Sequence, residues 1–140
     1  MTPPTPRRDR SPDPVRDRLK EVRRGLLRLH KALIDSERAA VERESGPMSS
    51  GQFLQALIQD PRFAWLRPFS GLIVEIDETL ATGEPLPPPE ARAFVERVRA
   101  LVVLEGEEAE RYERVRQRDA AVLIAHVELE ARIAAALEAA

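Results

Sequence analysis

DPVRDRLKEVRRGLLRLHKALIDSERAAVERES, residues 13–45, carries the pattern that decides the fold. Asp13 can cap a helix, and Pro14 suits its first position because the missing N–H would lack a partner there anyway. Val15, Leu19, Val22, Leu26, Leu29 and Leu33 then alternate spacings of four and three, and Ala40 keeps the phase. That spacing puts one apolar seam along a helix. Leu27, Ile34 and Val41 widen the seam beyond what a two-helix coil needs, which argues for a bundle. Gly46-Pro47 stops the helix near residue 45.

Outward from this helix the chain is punctuated by the same signals. Residues 1–13 hold four of the twelve prolines and no apolar side chain beyond Met1, so a disordered Pro/Arg-rich tail is expected there. Ser49 and Gln52 stand at capping-box spacing before Phe53, Leu54, Leu57 and Ile58. Asp60-Pro61 repeats the cap-plus-proline signature, and Pro68 forces a kink or fresh start near Arg67. Phe69, Leu72, Ile73, Ile76 and Leu80 carry a helical stripe to Gly83. Glu84 to Pro89 reads as a stiff connector. Phe94, Val98, Leu101 and Val102 line the next helix, and Gly106 predicts a bend. Beyond it, Glu107–Arg111 and Glu110–Arg114 are spaced for ion pairing. Tyr112, Val115, Val122, His126, Leu129, Ile133 and Ala136 then resume the three-four pattern.

The expected architecture is an all-α, up-and-down bundle of four to five helices, one domain over residues 14–140. Its helices fall near 14–45, 50–59 and 68–82, with one or two more within 89–138. The long first and last helices outreach the short ones between them, which predicts uncovered seams and hence a homodimer. The alanine-rich end (Ala120, Ala121, Ala125, Ala131, Ala134, Ala135, Ala136) would let helices approach closely in that pair.

Composition excludes several chemistries. The 140 residues contain no cysteine, which removes disulfides, thiolate metal sites and cysteine nucleophiles. No apolar run suits a secretory leader or a membrane span, so the expected location is the cytoplasm. There is no glycine-rich phosphate loop and no Gly-x-Ser-x-Gly elbow. The two histidines, His30 and His126, lack a glutamate three residues earlier, where Leu27 and Leu123 stand, so the di-iron bundle motif is absent. A His30–His126–Glu130 metal or small-ligand site is the third reading, set against two half-buried structural histidines. No cofactor is expected.

Charge is unevenly placed: residues 1–31 carry an excess of six positive charges, whereas the whole chain carries a net −2. Arg7, Arg8 and Arg10 leading into Arg16, Lys20, Arg23 and Arg24 make the second reading, a nucleic-acid or anionic-surface binder. Interleaved acids and the lack of aromatics in that region speak against it. The leading reading is a non-enzymatic interaction or scaffold protein working through Asp60 to Phe69, which holds the only tryptophan and two of the four phenylalanines. Phe63, Trp65, Arg67 and Phe69 there either close a core corner or face a partner chain.

The pattern Leu29-His30-Lys31-x-Leu33 with Glu37-Arg38, followed by Phe63-Ala64-Trp65-Leu66-Arg67-Pro68, resembles short bacterial all-helical proteins. The likeness covers roughly residues 25–80 and implies that the histidine and the aromatic corner act together. It carries no catalytic motif and implies no function.

Overall fold

The first helix begins and ends where its caps dictate. In the computed structural model, which describes residues 13–103 and 106–138, α1 spans Pro14–Ser45. The Asp13 carboxylate accepts the Arg16 N–H at 3.0 Å, and Gly46 closes the helix at φ +82°, a conformation open to glycine. Along the seam, Leu19, Val22, Leu26, Leu29 and Leu33 are fully buried, each contributing about 2 kcal/mol of burial. Val15, Ala40 and Ile34 are half-buried and Leu27 is exposed.

The remaining elements are α2 (Ser50–Gln59), a 3-10 segment (Pro61–Leu66), α3 (Arg67–Ala81), α4 (Pro88–Val102), α5 (Glu107–Arg118) and α6 (Ala120–Glu138). All regular structure among the described residues is helical. There are six α-helices rather than four to five, because the last segment breaks twice. Gly106 separates α4 from α5 at φ +73°. Asp119 then stops α5 in an extended conformation and accepts the Ala121 N–H at 3.0 Å as α6 begins. The expected tail over residues 1–13 lies outside the described residues, apart from its capping Asp13.

Helix α1 is the element about which the others are placed. Its most extensive partner is α6, and α3, α4 and α5 also pack on it, while α4 bridges to α6 and α3. The seam expected to need a second subunit is thus covered inside one chain. The alanine face of α6 divides, with Ala125 and Ala136 buried and Ala120, Ala121, Ala131, Ala134 and Ala135 exposed. Close approach of α1 to α6 depends on Gly25, where an added Cβ would stand 3.0 Å from the Leu129 Cδ1.

Two staples fix α3. Arg16 donates to the carbonyls of Leu80 and Glu84, tying the end of α3 and the connector to α1. Arg23 pairs with Asp77. In the connector, Leu86 is buried and anchors the proline run against the core. No described helix is long and apolar enough to cross a membrane.

Candidate functional site

Residues 60–69 form a corner whose start is fixed by capping side chains. Ser49 and Gln52 make the reciprocal capping box that starts α2, at 3.1 and 3.0 Å. Asp60 ends α2 and starts the 3-10 segment: one carboxylate oxygen accepts the Arg62 N–H at 2.9 Å. The other accepts the Arg62 side chain from Nε at 3.1 Å and from Nη2 at 2.8 Å. These bonds hold the Asp60 carboxyl below the usual carboxylate range. Arg67 reaches back to the carbonyls of Leu57 and Asp60 at 3.4 and 3.3 Å, covering the open end of α2.

The corner delivers aromatic rings to the core. Phe63, Trp65 and Phe69 are buried, and Arg67 is exposed. Phe63 meets Phe53 edge-on at 5.8 Å, and Trp65 meets Phe69 and Tyr112 edge-on at 6.3 and 6.4 Å. Phe69 is nearly parallel to two rings, His30 at 6.5 Å and Tyr112 at 6.5 Å. Tyr112 in turn tilts against His126 at 5.5 Å. The two histidines thus stand at opposite ends of a column that runs through Phe69 and Tyr112.

At the far end of this column lies a buried polar chain. The Tyr112 hydroxyl and His126 Nδ1 are 2.6 Å apart, and His126 Nε2 is 2.8 Å from Glu130. The tautomer satisfying both contacts carries its proton on Nε2: the phenol donates to Nδ1 and Nε2–H donates to the carboxylate. Arg116 lies 3.0 Å from Nε2 and pairs with Glu113 at 2.6 Å; it donates to Nε2 only in the other tautomer, where Nδ1–H donates to the phenol oxygen. Burial lowers the His126 pKa from 6.5, outweighing the attraction of Glu130, and it raises that of the Tyr112 phenol. Burial also lowers that of His30. A phenol–imidazole–carboxylate chain has the order of a general-base relay. With Tyr112 only 3% exposed, no substrate meets its hydroxyl, and the chain serves to satisfy buried polar groups.

The expected metal set is not assembled. Glu130 joins His126, but His30 stacks on Phe69 instead. Among the described residues, no three histidine, aspartate or glutamate side chains lie close enough to hold an ion together. Of the four described members of the basic set, three are engaged. Arg16 and Arg23 are bound as above, Arg24 pairs with Glu21 at 2.6 Å, and Lys20 is exposed. Arg7, Arg8 and Arg10 lie outside the described residues.

The 3-10 segment separates two clefts. On one side Phe63 and Leu66 join His30, Ile34 and Leu57 in an apolar groove of about 380 Å³ between α1, α2 and α3. Leu54 and Ile58 stand at its edge, 57% and 60% exposed. On the other side Arg62 and Trp65 join Glu37 and three arginines of α5 around a cleft of about 330 Å³. Sequence reasoning missed both. Leu54 and Ile58 belong to the apolar set of α2 in the sequence, yet only Phe53 of that helix is buried. Arg111 and Arg114 read as partners of Glu107 and Glu110. Instead Arg111 donates to the Arg62 carbonyl at 3.4 Å and Arg114 to the Glu110 carbonyl at 3.4 Å. The available signal was the spacing 111–114–118, which sets three arginines on one face of a helix.

No protein-family model, curated protein or solved structure matches the chain.

Proposed function

We propose that the protein is a non-enzymatic interaction module that pairs with a second copy of itself through the groove between α1, α2 and α3. The observation that carries this reading is the pair Leu54 and Ile58, large side chains left 57% and 60% exposed beside an apolar groove. Single exposed aliphatics are ordinary, but a contiguous apolar patch costs solubility unless something covers it. The patch continues along both neighbouring helices. Leu27, one turn before His30, and Val74, one turn after Ser70, are 36% and 53% exposed on the same faces.

Protruding side chains and the groove that would receive them lie side by side on one surface. A two-fold axis through such a patch places each copy's Leu54 and Ile58 in the other's groove, which is an isologous and closed arrangement. Stable dimers bury about 800 Å² per partner, so the contact includes Leu27 and Val74 as well as α2. The corner's part is then indirect: Phe63 and Leu66 form the floor of the groove, and buried Trp65 keeps that floor in place.

Sedimentation velocity tests the reading. The wild-type chain is expected to sediment as a dimer at tens of micromolar, a concentration above the roughly micromolar-to-picomolar Kd range of interfaces of standard size. Leu54→Glu with Ile58→Glu is expected to give a folded monomer with unchanged helical circular dichroism. A wild-type monomer at that concentration, or a dimer indifferent to both changes, overturns it.

A further inference from the structure

We propose that the cleft between α1, the 3-10 segment and α5 binds a small oligophosphate, gripped by Arg62, Arg111, Arg114 and Arg118. This site lies on the opposite side of the 3-10 segment from the groove and does not depend on self-association.

Four guanidinium groups line a space of about 330 Å³, and the carboxylates bound to them are two, Glu37 and Asp60. Glu44 also acts on Arg62 from nearby, and the set is left with a net positive charge in a concave site, an arrangement that attracts a multiply charged anion. A volume at the low end of small-ligand sites favours a compact anion over a macromolecular segment.

The guanidinium groups are already positioned. Asp60 fixes Arg62 through two donors at 3.1 and 2.8 Å. Arg118 donates to the buried Ser36 hydroxyl at 3.0 Å and to Glu37 at 2.9 Å. Arg111 and Arg114 are steered by long contacts to backbone carbonyls, which leave their outward N–H groups for a ligand. Ordering long side chains before binding removes much of the entropic penalty of capturing an anion. Planar forks of this kind match phosphate oxygens two at a time, and a condensed phosphate presents several such oxygen pairs within one compact anion. Trp65 and Val115 complete the wall and keep one side of the cleft dry.

Isothermal titration of the full chain with sodium pyrophosphate tests the assignment, with tripolyphosphate, inorganic phosphate and citrate as parallel probes. Pyrophosphate and tripolyphosphate are expected to bind with sub-millimolar Kd at about 25 mM NaCl and to weaken about tenfold by about 250 mM. Arg111→Gln with Arg114→Gln, both exposed positions, is expected to weaken binding by about tenfold or more while leaving the thermal melt unchanged. Glu37→Gln removes a competing carboxylate and is expected to tighten binding about threefold. No binding by the wild type, an unchanged affinity in the double variant, weaker binding after Glu37→Gln, or citrate matching pyrophosphate would each sink the proposal.

Discussion

His126 occupies the most constrained position for a titrating side chain in this protein, its ring closed between the Tyr112 phenol and the Glu130 carboxylate. The groups facing it are Tyr112, Glu130, Arg116 and, beyond them, Glu113, and burial dominates their combined effect. The folded state therefore binds its proton less readily than the unfolded chain. Above the unfolded pKa of 6.5 both states are neutral and stability is independent of this group. Below it the unfolded chain takes up a proton that the folded chain refuses, so stability falls until the lower folded pKa is passed. His30 is shifted the same way, also by burial. Urea midpoints are expected to be level from about pH 8 to 7 and to decline from about pH 6.5 toward 5. His30→Gln with His126→Gln should flatten that decline. A slope that survives the double change would assign it to carboxylates instead.

At the scale of elements, starts and stops were legible wherever a capping side chain met a proline or glycine. Asp13-Pro14, Ser49 with Gln52, Asp60-Pro61 and Gly46 each act in the structure as their chemistry requires, so α1, α2 and the corner emerged nearly in place. The break at Asp119 was hidden because Val115 and Val122 keep a seven-residue interval across it. An interval fixes which side of a helix faces the core and is blind to a turn of the axis between two points. The arginine cleft was hidden for a related reason: spacing along one helix says nothing of Glu37 and Arg62, brought there by other elements. The uncovered seam was likewise expected from helix lengths, and the way α6 lies along α1 cannot be read from lengths. Asp60 is the element-level test, since it terminates one helix and starts the next. Asp60→Ala is expected to lower the thermal or urea unfolding midpoint, and Asp60→Asn much less because its side-chain oxygen still caps. Equal losses from both changes would show that the charge, not the cap, carries the effect.

Across the whole molecule the decisive packing is α1 against α6, pinned at Gly25. A Cβ there would meet the Leu129 side chain at 3.0 Å and that of Arg132 at 3.2 Å, so α6 side chains rest directly on the α1 backbone at that crossing. Gly25→Leu is expected to force them apart and destabilise the fold by about 1–3 kcal/mol, read as a lowered urea midpoint. An unchanged midpoint would mean that α6 can slide along α1 without loss. The same pairing joins distant parts of the chain: Arg28 of α1 and Glu128 of α6, 100 residues apart, come within 3.4 Å. Helix α1 ends at Ser45 and α6 begins at Ala120, so during synthesis α1 leaves the ribosome well before α6. For most of that interval Leu19, Val22, Leu26, Leu29 and Leu33 lack their principal cover, and the nascent chain carries an apolar stripe about 20 Å long. Its maturation is governed less by how fast helices form than by how long a finished one must wait.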